Sequence, residues 1–309
     1  MIQVLLPAWA VGVITWMVML PILVFWGGSV CVLGLIRAVI PLRPVQDLLA
    51  GLGAAAASQW VASNQLVYRV LLAPAWQTEI REKLDPKKSY LVICNHQAWA
   101  DILILFDLMH GRIPFLRFFL KHELIWVPII GVGCWALDMP FMKRHSREAI
   151  KANPALRGED LATTRRFCEK FKARPIAVVN FPEGTRFSEE KRVSKGSPYR
   201  HLLRPKAAGL SFVLNAMGDQ FGGIIDVTIA YQPTEKALTW SWMCGEQNQM
   251  KVHIDTLPIP PEMIAGDYEG DEAFRARFQD WVNGLWSRKD ARLERMQTEG
   301  QPQARPRLT

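Results

Sequence analysis

From Ile2 to Ile36 the chain carries no charged side chain, and its Trp, Val and Leu residues are interrupted only by Pro7, Pro21 and the pair Gly27 and Gly28. Roughly 20 consecutive apolar residues are enough to cross a bilayer, and this run exceeds that even if the glycines end the first helix. A secretory leader is the competing reading. No basic segment precedes the run, however, and it is too long for a leader's apolar core. A retained membrane anchor over residues 1–44 is therefore expected. Arg37 and Arg43 follow directly, with Pro41 and Pro44 breaking the helix, so the positive-inside tendency puts the downstream end and the rest of the chain on the cytoplasmic side. Hydropathy does not separate a full span from a hairpin dipping into one leaflet, because both bury the same residues.

The chain has 309 residues, half of them apolar, which allows one large domain plus a small appendage. Its net charge of +8 attracts anions without choosing among nucleic acid, acidic headgroups and phosphorylated substrates. Beside an apolar anchor, the membrane surface is the favoured partner. The five cysteines are odd in number and scattered, with no CxxC or Cys/His ligand spacing. Neither a disulfide framework nor a metal site is expected.

Residues 45–80 are alanine-rich and moderately amphipathic, which suggests an interfacial helix, with a plain core helix as the alternative. From residue 81 to 296 short apolar runs alternate with longer mixed segments, the punctuation of an α/β domain. Strands are expected at Ser89 to Cys94, Pro114 to Lys121, Ile176 to Phe181, Ile224 to Tyr231 and Met250 to Ile254. Helices are expected at Asp101 to His110, Glu159 to Lys172 and Glu272 to Met296. The polar, proline-bearing tail, residues 297–309, is expected to be disordered.

Asn95-His96-Gln97-Ala98-Trp99-Ala100-Asp101 follows an apolar strand and opens an apolar helix. Five residues along a continuous helix lie about 140° apart, so His96 and Asp101 can meet only if His96 precedes the helix. In that turn Asp101 can hold one imidazole nitrogen and leave the other free to take a proton. The same spacing also suits a helix cap or a surface pair. Phe181-Pro182-Glu183-Gly184-Thr185-Arg186 ends another strand, where open α/β sheets place their ligands. Gly184 permits an unusual turn, Thr185 offers a hydroxyl, Arg186 a planar fork for phosphate, and Glu183 an acceptor. A third cluster runs from Lys121-His122-Glu123-Leu124 to Phe141-Met142-Lys143-Arg144. Its Lys121 and Arg144 could share a phosphate if the stretch folds back, and its apolar residues from Leu124 to Ile130 could touch acyl chains or the bilayer. Lys206, in Arg204-Pro205-Lys206-Ala207-Ala208-Gly209, opens a further apolar helix where an anion could bind.

These blocks in this order, from Leu91 to Tyr231, resemble those of the 1-acylglycerol-3-phosphate acyltransferase family. The nearest likeness is to bacterial inner-membrane members, with similarity in the second block to the lysocardiolipin branch. The resemblance implies an α/β glycerophospholipid acyltransferase fold with the N-terminal helical segment as membrane anchor. It implies acyl-CoA or acyl-carrier protein as donor, a lysophospholipid as acceptor and no cofactor. It also implies His96 as general base oriented by Asp101. Glu183, Gly184, Thr185 and Arg186 would bind the acceptor's glycerol phosphate, with Lys121 and Arg144 as phosphate contacts. The family's last block is only loosely represented by Val227 to Pro233.

Direct transfer is expected, because no serine or cysteine is paired with His96 as a nucleophile. Backbone amides of the Asn95 to Trp99 turn are candidates to stabilise the oxyanion. Lysophosphatidylglycerol and lysocardiolipin are alternative acceptors. A non-catalytic protein that binds anionic membranes is the reading from another class. A nucleic-acid binder is disfavoured, because the basic residues are dispersed and no aromatic stacking motif accompanies them.

Overall fold

The computed structural model describes residues 5–72, 77–80, 83–143, 159–171, 174–264 and 266–298. Helix α1 (Ala8–Val39) is continuous, with one π turn at Leu23–Gly27, and is long and apolar enough to cross a membrane. Its partner α2 (Arg43–Val67) starts after Ile40, Pro41 and Leu42 and folds back beside it. Small residues on α2 (Ala56, Ala57) are buried against Val30 of α1, which lets the two backbones approach. The Trp26 indole donates to the Ser63 hydroxyl across the pair at 3.1 Å.

The sheet has strand order β1-β8-β7-β2-β6-β3, with β1 Gln77–Ile80, β2 Ser89–Cys94, β3 Leu116–Phe118, β6 Ala177–Asn180, β7 Phe221–Ala230 and β8 Lys251–Leu257. Strands β3, β6, β2 and β7 run parallel, while β8 is antiparallel to β7. A parallel sheet buries both faces, and alternation along β2 sorts its side chains accordingly. Tyr90, Val92 and Cys94 join the core with helix α3 (Ala100–Met109), Trp242 and α2. Leu91 and Ile93 join the opposite core with α5 (Glu159–Phe171), α7 (Ala207–Met217) and α9 (Glu272–Thr298). The remaining short helices are α4 (Ile130–Ala136), α6 (Glu189–Ser194) and α8 (Leu238–Met243).

Asp226 and Thr228 face α9 from β7. Lys289, fully buried, pairs with Asp226 and donates to the Val227 carbonyl at 2.6 Å; Arg292 reaches the other Asp226 oxygen at 2.9 Å. Removing one partner would strand a buried charge, a loss of about 3–5 kcal/mol. The α9 helix is thereby tied to the sheet beneath the strand ends that carry the site.

Three expectations change. The strand expected over Pro114 to Lys121 divides: β3 stays in the sheet, and β4 (Leu120–Lys121) leaves it to pair with β5 (Phe141–Met142). An apolar run records burial but not which partner strand receives it. The sheet also begins at Gln77, inside the segment assigned to the interfacial helix, because β1 pairs with β8 from Gln77 to Ile80. Finally, α2 is as much core as interface. Trp60 packs edge-on against Phe106, and Ser58 hydrogen-bonds His110 at 2.8 Å, while Leu48, Leu52 and Leu66 stay exposed. Residues 299–309, expected to be disordered, lie outside the described residues.

Candidate active site

Because β2, β6 and β3 are parallel, their carboxyl ends open on one edge of the sheet. The His96 turn follows β2, the Phe181–Arg186 loop follows β6, and Lys121 lies shortly after β3. An aromatic row links them. The His96 ring stacks on Phe181 with centroids 4.2 Å apart, Phe181 on Phe118 at 6.1 Å, and Phe118 lies 5.4 Å from Phe106.

The turn begins where Asn95 imitates a strand residue. Its amide donates to the Ile229 carbonyl and its oxygen accepts the Ile229 amide, each at 2.9 Å. His96 is then outside the helix, and α3 starts at Ala100, so the pair can meet. His96 Nδ1 lies 2.8 Å from Asp101 Oδ2, which also accepts the amides of Gln97 at 2.6 Å and Ala98 at 2.9 Å. The other oxygen, Oδ1, accepts the Tyr231 hydroxyl at 2.5 Å. Asp101 is fully buried in the first turn of a helix, where the helix dipole favours its negative charge. A carboxylate that accepts at Nδ1 selects the Nδ1–H tautomer of a neutral imidazole, the tautomer whose lone pair is on Nε2.

Glu183 is turned into the protein. It is 2% exposed, with Oε1 accepting the His96 amide at 3.0 Å and Oε2 the Leu203 amide at 2.9 Å. The expected acceptor contact is replaced by a strut that joins the His96 turn to residues 203–206. Spacing identified the loop but not which way this side chain points. Burial pushes the carboxyl up to about 7, opposed by the two amides that hold its charged form.

Gly184 sits at φ +69°, a conformation that strains any other residue, and its missing Cβ would lie 3.5–3.7 Å from the Lys206 side chain. The Lys206 amide donates to the Pro182 carbonyl at 2.8 Å, which brings the start of α7 against the loop. Thr185 accepts from Lys191 Nζ at 3.3 Å, and the exposed Arg186 guanidinium lies 5.5 Å from the Trp99 ring centre. Lys121 is exposed at the end of β4. Arg144 lies outside the described residues.

Three of the turn's amides are committed elsewhere. Those of Gln97 and Ala98 bond Asp101, and that of His96 bonds Glu183, so these three are not the oxyanion donors the turn was expected to supply. Cys94 is fully buried and its thiol is pushed well above its ordinary range, chiefly by burial, so it presents no thiolate. Among the described residues, no cluster of three or more His, Cys, Asp or Glu converges that could hold a metal ion. A cavity of about 870 Å³ between α9 and residues 198–205 shares no residue with the His96 turn.

Tyr231 is the site residue that sequence reasoning missed. Its phenol is kept protonated by burial and by Asp101, so it remains a donor. The available signals were its place at the end of the strand expected over Ile224 to Tyr231 and inside the loosely matched block Val227 to Pro233.

A family model described as "Acyltransferase" matches residues 76–232. The chain is 28% identical over 70% of its length to an uncharacterized acyltransferase of Saccharomyces cerevisiae. It is 24% identical over 69% of its length to the 2-acyl-1-lysophosphatidylinositol acyltransferase of the same yeast. To the 1-acyl-sn-glycerol-3-phosphate acyltransferase gamma of Mus musculus it is likewise 24% identical over 69%. The matches cover 60%, 63% and 55% of these relatives, so the chain spans less than two thirds of their lengths. The fold is shared with the crystal structure of the 1-acyl-sn-glycerophosphate acyltransferase PlsC from Thermotoga maritima. There the TM-score is 0.50 at 16% identity, covering 90% of this chain and 95% of that one.

Proposed function

The chain belongs to the acyltransferase family that includes the 1-acylglycerol-3-phosphate acyltransferases, and on that premise we propose that it is a membrane-bound O-acyltransferase making phosphatidic acid. It transfers a fatty acyl group from acyl-CoA or acyl-carrier protein to the free hydroxyl of 1-acyl-sn-glycerol 3-phosphate. The observation that carries the reading is the 2.8 Å contact of His96 Nδ1 with a four-bonded, buried Asp101, which leaves Nε2 as a base at the ligand-binding edge of the sheet.

Nε2 takes the proton of the glycerol hydroxyl as that oxygen attacks the thioester carbonyl. Asp101 stabilises the imidazolium that forms without itself taking the proton. Collapse of the tetrahedral adduct expels the thiolate, which recovers the proton from His96, leaving ester and free thiol. Arg186 and Lys121 are the proposed phosphate contacts, with Gly184 and Thr185 shaping that loop. The aromatic row from Phe181 to Phe106 supplies an apolar wall beside the base.

A lysophosphatidylinositol acceptor is the second reading, favoured by the likeness to the yeast enzyme that carries that name. Lysophosphatidylglycerol and lysocardiolipin belong in the same acceptor panel. The proposed setting is the cytoplasmic face of a membrane, supported by Arg37 and Arg43 after the apolar run, and a bacterial inner membrane on the sequence resemblance alone. The test is labelled acyl-CoA and lysophosphatidic acid with the purified chain. Phosphatidic acid should form, and His96→Ala should abolish turnover while membrane association persists. Full activity in that variant would sink the assignment.

A further inference from the structure

Helix α9 has two unlike faces. Phe278, Val282, Leu285, Lys289 and Leu293 are buried where the helix packs on β7 and α7. A second stripe, Gln279, Asn283, Ser287, Asp290 and Glu294, recurs at helical spacing and lines the cavity of about 870 Å³ whose other wall is residues 198–205. That volume is typical of a small-molecule site, and none of its lining residues has a part in the chemistry proposed above.

Most polar groups on the stripe are already committed. Asp290 accepts the amides of Arg200 at 3.0 Å and His201 at 2.8 Å. Glu294 accepts from the Arg200 guanidinium at 2.8 Å and lies 2.6 Å from His201 Nε2. Each carboxylate oxygen therefore has a partner within the protein. Gln279 Nε2 donates to the Pro205 carbonyl at 3.3 Å and to Asn283 Oδ1 at 3.0 Å. A carbonyl only accepts, so this contact fixes which end of the Gln279 amide faces Pro205, and with it which end of Asn283 faces Gln279. Three groups of the lining keep no hydrogen-bond partner among the described residues: Gln279 Oε1, an acceptor; Asn283 Nδ2, a donor; and the exposed Arg204 guanidinium, which also makes no ion pair there.

An acceptor and a donor on neighbouring amides match the edge of adenine, which offers an amino donor beside a ring-nitrogen acceptor; guanine offers two acceptors there. A guanidinium fork suits phosphate. Pro198, Pro205 and Ala291 add apolar surface to the lining, against which a flat ring can pack.

The wall opposite α9 is also the back of the catalytic loop. Its Leu203 amide donates to Glu183, whose other oxygen holds the His96 amide, and the Lys206 amide just beyond it holds the Pro182 carbonyl. Helix α9 grips that wall at Arg200 and His201 through Asp290, and at Pro205 through Gln279. A ligand held by Gln279, Asn283 and Arg204 therefore bears on the segment that keeps Glu183 against the His96 turn.

We propose that this cleft binds an adenosine phosphate, its base edge on Gln279 and Asn283 and its phosphate on Arg204, and that occupancy is felt at His96 through Leu203 and Glu183. The same chemistry is carried by a free nucleotide and by the nucleotide end of a CoA thioester. The effect on turnover rests on the enzymatic reading above; the binding does not.

Calorimetry on the full chain in detergent, with AMP, GMP and inorganic phosphate as probes, tests the site. AMP should bind, and Arg204→Ala should weaken it about tenfold or more, as loss of a hydrogen bond between charged groups does. Asn283→Ala should weaken AMP but not inorganic phosphate, and AMP should be preferred to GMP about tenfold. Arg204 is exposed and Asn283 half-buried, so both variants should fold, which a melt checks. No AMP binding, unchanged affinity in both variants, or GMP bound as tightly as AMP would overturn the site. Kinetics then separate the two sources. AMP that raises the KM for acyl-CoA and spares turnover at saturation puts the donor's nucleotide in the cleft; AMP that changes turnover with that KM constant marks a free nucleotide acting through Glu183. Either effect should vanish in Arg204→Ala. AMP that binds and alters neither constant would overturn the link to His96, whereas a chain that binds AMP but transfers no acyl group would break the enzymatic reading and leave the site standing.

Discussion

Tyr231→Phe removes one oxygen and nothing else, so it isolates the hydroxyl that holds Asp101. In the folded chain this hydroxyl donates to Asp101 Oδ1 at 2.5 Å, while the bonds from His96, Gln97 and Ala98 all fall on Oδ2. Asp101 is fully buried, so Oδ1 finds no water to replace the lost donor. A hydrogen bond to a charged group contributes about 1.5–3 kcal/mol. If that loss falls on the transition state, where the proposed mechanism has Asp101 hold an imidazolium, turnover drops about 10- to 100-fold at 1.4 kcal/mol per decade. Tyr231 is buried with its hydroxyl turned onto Asp101, so the acceptor KM should stay within twofold. Initial rates against lysophosphatidic acid concentration, with a thermal melt of the same preparation, separate these outcomes. A folded Tyr231→Phe enzyme with turnover within twofold of wild type would refute the idea that this bond positions His96 and Asp101 for the proposed reaction.

Glu183→Gln leaves one acceptor oxygen for two amides and turns an NH2 toward either His96 or Leu203. Turnover should fall about 10- to 100-fold, as small misplacements of a catalytic group do, with acceptor KM nearly unchanged; a selective rise in KM would mean that Glu183 touches the acceptor after all. Its pH signature has a definite sign. The folded carboxyl titrates near 7 against about 4.3 in an unfolded chain, so the native state holds its proton more tightly. Stability should therefore fall as pH rises from about 4 to 7 and level off above, and the Gln variant should flatten that slope in melts taken across the range. Arg186→Ala should raise the acceptor KM severalfold and spare turnover at saturation; an unchanged KM would remove Arg186 from the phosphate site.

Chemistry that lies close along the chain was legible from sequence. Residues 95–101 are an apolar strand, a polar turn and an apolar helix, and that order alone requires His96 to precede the helix if it is to meet Asp101. The charge-free run to Ile36 likewise requires apolar surroundings whatever the fold. Only the tertiary structure brought Tyr231 to Asp101, 130 residues away, because the parallel pairing of β2 with β7 sets which strand ends become neighbours. Only the tertiary structure turned Glu183 inward, because the competing donors, the amides of His96 and Leu203, come from two distant segments. The same holds for the anchor. Its composition demands lipid or a core, but the close approach of Gly12 to Trp240 and Cys244, of Gly27 to Ile129 and of Gly34 to Ala136 decides which flank packs on the domain. Local pattern sets what a residue is able to do, and packing between distant segments selects which partner it meets.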